Sequence, residues 1–159
     1  MFKGKLNTPI GLLLIEADQE YVTCITFSVA DFEEQPNALT ELAKSQFEKY
    51  FDGQHQDFNF PMRQPGTDFQ QLVWKELLEI KAGHPISYAR LSQQMNNPLA
   101  IRAIASANGK NKLMIVVPCH RVIGSSGKLV GYAGELWRKK WLLEHEARMM
   151  NTGQSVLNF

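Results

Sequence analysis

The sequence predicts an α+β fold in two parts, an N-terminal antiparallel β-sheet covered by one helix and a C-terminal helical part containing a helix-turn-helix. Three observations carry this. Short apolar runs separated by turn residues fill the first thirty positions, helix-capping patterns recur from Asn37 onward, and charge is segregated about the turn-rich stretch Pro61–Thr67. Residues 1–67 carry five Lys/Arg against ten Asp/Glu, a net −5, and residues 68–159 carry twelve against six, a net +6, within a chain of net charge +1. The expected division is therefore a support domain over 1–62, a linker over 63–67 and an anion-facing domain over 68–159.

In the first part, Phe2–Asn7, Leu12–Glu16 and Tyr21–Ser28 read as strands of a meander, broken at Pro9, Gly11 and the Asp18-Gln19-Glu20 turn. Leu39, Leu42, Ala43, Phe47 and Tyr50 recur at helical spacing, with Asn37 as N-cap and Gly53 beyond the end. No cluster of catalytic residue types occurs there.

In the second part, Thr67-Asp68-Phe69-Gln70 has the form of a capping box, opening a helix that presents Phe69, Leu72, Val73, Leu77 and Ile80 and stops at Gly83. Ser87 is placed to cap a short helix burying Tyr88 or Leu91 and Met95. Asn97-Pro98 is placed to cap a second, reaching Asn108-Gly109. The pair fits a helix-turn-helix and an ordinary αα-hairpin equally well; in the former the second helix, made of small residues around Arg102, would meet DNA. Leu113–Val117 reads as a buried strand delivering Pro118-Cys119-His120-Arg121, and a last helix runs from about Glu135 to Met149, with Trp137, Trp141, Leu142 and Leu143 for packing.

The chain has 159 residues, 44% hydrophobic and 21% charged, and its longest apolar run is the five residues Leu113–Val117, which excludes a disordered chain and a transmembrane helix. The opening Met1-Phe2-Lys3-Gly4-Lys5 lacks the pattern of a secretory signal, so a cytoplasmic, monomeric protein without membrane contact is expected. Cys24 and Cys119 are too few for a disulfide framework and lack zinc-ligand spacing, so no metal or cofactor is expected. Cys24 reads as packing, and His55, His84 and His145 as loop or solvent-facing positions.

Chemistry concentrates at Cys119. A cysteine beside a histidine, in a basic half and with Arg121 following, has the means to become a thiolate, and Glu146 on the last helix is placed to orient His120. Read singly, Tyr88 could be a core residue, His120 a satisfied core histidine and Glu146 a helix-surface charge, whereas the Pro118-Cys119-His120-Arg121 run in a basic half argues against Cys119 as a packing thiol.

The run Pro118-Cys119-His120-Arg121-Val122 resembles the active-site signature of the O6-alkylguanine-DNA alkyltransferases. The segments Phe69–Trp74, Ile86-Ser87-Tyr88, Ala107–Asn111, Gly131–Gly134 and Trp141–Glu146 resemble that family in order and spacing, so the resemblance covers essentially all of 67–147. It implies a ribonuclease H-like N-terminal domain, a winged-helix-like C-terminal domain, and direct repair of O6-alkylguanine (also O4-alkylthymine) by a single irreversible transfer to Cys119. His120 would deprotonate Cys119 through water, Glu146 would hold the imidazole, Asn111 would brace the loops, and Tyr88 would donate to the guanine. Arg102 would fill the stack in place of the flipped base. Ala100, Ala103 and Ser106 would enter the minor groove of double-stranded DNA without sequence preference, and Lys110, Arg90 or the Arg138-Lys139-Lys140 run would meet phosphates, that run fitting a solvated face equally well. Met114, Val122, Tyr132, Ala133 and Gly134 would line the pocket. The chain departs from the family pattern at Ile101, Lys112, Met114 and Glu135. Two alternatives remain, a non-catalytic lesion sensor, against which Cys119 argues, and a cysteine-histidine hydrolase.

Overall fold

The structure is a computed structural model that describes residues 1–54, 57–124, 132 and 134–151. Two compact units emerge: the first comprises Met1–Pro65 with Lys112–Met114, the second the described residues of Gly66–Asn111 and of 115 onward.

The first unit is a meander of β1 (Phe2–Thr8), β2 (Gly11–Ala17) and β3 (Val22–Ser28), paired antiparallel in that order. Thr8 pairs with Gly11 across the Pro9-Ile10 turn; Gly11 has φ of 123°, and the Thr8 hydroxyl donates to its carbonyl at 2.7 Å. Along β2, Leu13, Ile15 and Ala17 alternate inward and are fully buried, the period-two pattern of a sheet with one covered face. The cover is α1 (Ala38–Phe51), which opens with the capping box of Asn37 and Thr40 and buries Ala43, Phe47 and Tyr50. Gly4 lets it approach: a Cβ there would lie 3.2 Å from Thr40 Cβ. On the outer edge of β3, Ile25 N–H donates to Lys112 O at 2.8 Å and Met114 N–H to Ile25 O at 3.1 Å.

That pairing is all that remains of the strand expected over Leu113–Val117. The segment is buried throughout, but only Leu113 bridges to β3, and the chain then turns through Ile115 at φ of 73°. A β-branched residue in the left-handed region costs about 1–3 kcal/mol, so burial of an apolar run here accompanies a strained turn where composition suggested a ladder.

In the second unit, α2 (Asp68–Leu77) is capped by Thr67 and Gln70 and ends at Leu77, short of Gly83. Its buried face is Val73, Trp74 and Leu77, while Leu72 is exposed. The Trp74 indole donates to Ala107 O at 2.9 Å. Strand β4 (Ile86–Ser87) pairs in parallel with β5 (Val122–Ile123). Next come α3 (Tyr88–Gln94), capped by the Ser87 hydroxyl, and α4 (Ile101–Gly109). Asn97-Pro98 does not cap α4. Ala100 N–H donates to Asn97 O at 3.0 Å, closing a turn in which Pro98 occupies the position its fixed φ favours, and the helix starts after it. The last helix, α5, spans Leu136–Met149; Leu142 and Leu143 are buried, but Trp137 is half exposed and does not serve the core. No described helix is long and apolar enough to cross a membrane.

Candidate active site

Pro118 sets the site. With φ of −82° and ψ of 65°, it sits at the centre of an inverse γ-turn closed by Cys119 N–H donating to Val117 O at 2.8 Å, a conformation the proline ring's fixed φ favours. A single 3-10 turn, Cys119–Arg121, follows and buries Cys119 and His120 together. Burial pushes the Cys119 thiol pKa up; Asn111, Lys139 and the backbone N–H groups of Cys119 and His120 act against it by favouring the thiolate.

The next two residues join a buried network of charged and polar groups. His120 Nε2 lies 2.9 Å from Glu146 Oε2, and Arg121 clamps the same carboxylate from Nε and Nη2, both at 2.9 Å, while its Nη1 donates to Ile80 O. Burial alone would raise the Glu146 pKa, but His120 and Arg121 hold it well below the usual carboxylate range. Burial lowers the His120 pKa and Glu146 opposes it. An anionic carboxylate at Nε2 assigns the ring proton there, which leaves Nδ1 as the basic nitrogen. Nδ1 is one of three buried side-chain atoms without a hydrogen-bond partner among the described residues, with Asn108 Oδ1 and Tyr132 Oη.

On the other side, Asn108 Nδ2 donates both to Tyr88 Oη at 3.0 Å and to Cys119 O at 3.2 Å. Because the Tyr88 oxygen accepts from Asn108, its own O–H is free for another acceptor; burial pushes its pKa up to about 12, which keeps that proton in place. Asn111 Nδ2 holds Val117 O at 2.8 Å, in keeping with a bracing position. Tyr132 stands edge-on to His120 with ring centroids 6.5 Å apart, and Gly134 packs so closely under its ring that a Cβ would fall 2.6 Å from Cε2.

The structure corrects the reading of Arg138-Lys139-Lys140 as one cationic run. Lys140 is exposed and Arg138 lies over the Trp137 ring, but Lys139 is fully buried, its Nζ donating to Val122 O at 2.7 Å. Burial brings its pKa down to about 8, with the Cys119 thiolate acting in the opposite direction. Sequence reasoning missed this cation, as it missed Asn108. Their signal is a matter of helix phase: Lys139 lies three residues before Leu142 and four before Leu143, on the inward stripe of α5. His145, expected toward solvent, is buried and stacks on Trp141 at 4.5 Å; His84 is exposed.

Of the other sequence-predicted residues, Arg102, Ala103 and Ser106 lie on the exposed face of α4, Ala100 is half-buried just before it and Lys110 is exposed at its C-cap, while Ile104, Ala107 and Asn108 face inward. Arg90 is exposed and lines a cleft of about 450 Å³ that also contains Glu76 and Glu79. Val122 is buried. Met114 belongs to the first unit, with its sulfur 4.0 Å from Thr26 Oγ1, whereas Cys119 belongs to the second. Ala133 and His55 lie outside the described residues. Among the described residues no group of His, Cys, Asp and Glu has the arrangement of a metal site.

A 6-O-methylguanine DNA methyltransferase, DNA binding domain, matches residues 68–148. The constitutive methylated-DNA–protein-cysteine methyltransferase of Bacillus subtilis is 41% identical over 140 residues, covering 80% of this chain and 84% of that protein. The chain belongs to this methyltransferase family. The Haemophilus influenzae member is 37% identical over 147 residues, 87% of this chain and 82% of that one. Among solved structures, the Mycobacterium tuberculosis O6-methylguanine methyltransferase superimposes with a TM-score of 0.83 at 38% identity, covering 93% of each chain. The same organism's OGT, solved in complex with DNA, gives 0.82 at 39% identity, covering 91% of this chain and 92% of that one.

Proposed function

We propose that this protein repairs O6-alkylguanine in double-stranded DNA by taking the alkyl group, once and irreversibly, onto Cys119 Sγ. The observation that carries the reading is a buried cysteine flanked by an unoccupied histidine nitrogen, His120 Nδ1, whose opposite nitrogen is fixed by Glu146, within a chain of the methyltransferase family. The thiol proton passes to His120 through a water molecule, and the imidazolium is stabilised by Glu146. The Sγ–C bond forms as the C–O6 bond breaks. The electron pair stays with guanine, whose ring takes a proton or hydrogen bond from the free O–H of Tyr88. Nothing in this arrangement activates water against a thioether, so the protein is consumed.

O6 is out of reach of in-line attack inside stacked DNA, so the base must be extruded, at a cost of about a few kcal/mol that is smaller for a damaged base. The exposed face of α4 supports its entry into the minor groove, where small residues permit close approach, Arg102 fills the gap and Lys110 meets phosphate without sequence preference. A ribonuclease H-like first unit, a winged-helix-like second unit, and a monomeric, cytoplasmic protein complete the reading; the α3–α4 pair with its β4–β5 ribbon supports the second of these.

Intact-protein mass after incubation with a duplex containing O6-methylguanine tests it. One methyl addition per protein is expected, absent in Cys119→Ser, with guanine restored in amounts never exceeding the protein added. A mass that stays unchanged would point to a sensor or a hydrolase, and turnover beyond one equivalent would remove Cys119 as final acceptor.

A further inference from the structure

The turn before α4 carries an anomaly. Leu99 is 97% exposed, and Ile101, the first residue of α4 and bulkier than the alanine usual in the family pattern, is 40% exposed. Pro98 beside them is exposed as well, and Arg102 follows at once. Leu99 buries almost nothing in the fold and Ile101 leaves a large part of its side chain in water, and an apolar ridge at the tip of a turn gains nothing from water. The stretch around it is cationic: from Ile80 to Gly134 the chain contains no Asp or Glu, Arg102 is exposed on the helix that Ile101 begins, and Lys110 is exposed at that helix's far end.

We propose that Leu99 and Ile101 form an apolar wedge that enters the minor groove beside the lesion and opens a base step for Arg102. The proposal rests on the reading of α4 as the DNA-facing helix. An apolar ridge followed at once by Arg102, in a stretch of chain without acids, fits a polyanion whose interior is apolar, which describes stacked base pairs behind a phosphate screen. Minor-groove proteins use leucine, isoleucine and proline in this way, unstacking one step so that the duplex bends toward the major groove. In this chain the wedge and the arginine have separate tasks. The aliphatic pair separates the bases, and the guanidinium then occupies the space the extruded nucleotide leaves.

The test compares Leu99→Ala, Ile101→Ala, their double variant and Arg102→Ala on two substrates, O6-methylguanine in a duplex and the free alkylated base. The double variant is expected to slow duplex repair about tenfold and to leave the free-base rate within about twofold, because only the duplex needs unstacking. The slope of log affinity against log salt should stay unchanged, since no phosphate contact is lost. In a Cys119→Ser background, 2-aminopurine next to the lesion should brighten on binding the parent and not the double variant. Duplex rates and 2-aminopurine signals equal to the parent's, while Arg102→Ala still loses duplex repair, overturn the wedge and leave α4 as the DNA-facing helix. If Arg102→Ala also loses nothing, the reading of α4 itself fails. A parent that sediments as a dimer, and a double variant that sediments as a monomer with normal DNA repair, would assign the ridge to a second copy of the chain and overturn the wedge.

Discussion

The Nζ of Lys139 donates to the carbonyl of Val122 at 2.7 Å, which places a fully buried ammonium against the backbone three residues after Cys119. Burial disfavours its charge, and its pKa falls to about 8 from the ordinary 10.5. The unfolded chain therefore binds more protons between those values, and this lysine costs the folded state stability below pH 8 that is recovered as pH rises toward 10.5. The shift corresponds to about 3 kcal/mol.

Lys139→Met separates stability from chemistry. It keeps an unbranched side chain one atom shorter and removes the charge, so thermal unfolding at pH 7 should show a gain of about 1–3 kcal/mol after allowing for the lost hydrogen bond to Val122. Transfer should slow by about tenfold or more and its pH profile should move upward, since a cation that favours the Cys119 thiolate has gone. A variant both more stable and as fast as the parent would show that the ammonium has no electrostatic role toward Cys119.

Glu146→Gln acts with the opposite sign on stability. The Glu146 carboxyl titrates lower in the folded protein than in the unfolded chain, where the value is about 4.3, so its contribution is complete above that pH and is lost as pH falls toward the folded value. The variant should lose about 3–5 kcal/mol at pH 7, because Arg121 and His120 are left without their carboxylate, and its unfolding free energy should depend less on pH below 4. Acid titration of stability, followed by circular dichroism in parent and variant, reads both effects.

Asn108→Ala removes the donor that ties Tyr88 to the backbone of Cys119. A loss of about 1–3 kcal/mol is expected from the two hydrogen bonds at a buried position. Unlike a change confined to the exposed side of α4, it should slow the reaction with free alkylated base as well as with duplex. Stopped-flow rates on both substrates decide this, and a duplex-only defect would place Asn108 with the groove contacts.

Glu135 has φ of 76° and ψ of 148°, a backbone region in which only glycine is relaxed. Its carboxylate accepts from the Trp137 indole at 2.9 Å and from Arg138 at 3.4 Å, contacts at an exposed position that repay little of the strain. Glu135→Gly should raise the unfolding free energy by about 1 kcal/mol, measured by urea denaturation with an unchanged m-value. A decrease would mean that the Trp137 and Arg138 contacts outweigh the strain.

The features legible in the sequence are those fixed over a few residues. Asn37, Thr67 and Ser87 each cap the helix expected of them, because a cap is decided by one side chain and the third backbone N–H beyond it. Cys119, His120 and Glu146 were legible by residue type and family pattern, and the fold brings His120 and Glu146 into contact across 26 positions. The opposite holds for Leu113–Val117, whose composition favours a strand while Ile115 takes a left-handed turn that no local preference would select. Lys139 escaped because lysine adjoins lysine and arginine in the sequence, and only the rotation of α5 separates the buried one from its exposed neighbour.

Cys119 is 2% exposed. On the proposed single-use chemistry, that figure sets a shelf life. A thiol held protonated and out of water reacts slowly with peroxides and disulfides, both of which need the thiolate and access to it. Each molecule lost to oxidation is a lesion left in place, with no turnover to compensate. The same burial that pushes the Cys119 pKa up, against the pull of Lys139, would on that chemistry also keep the stock of unspent protein usable until a damaged base is presented to it.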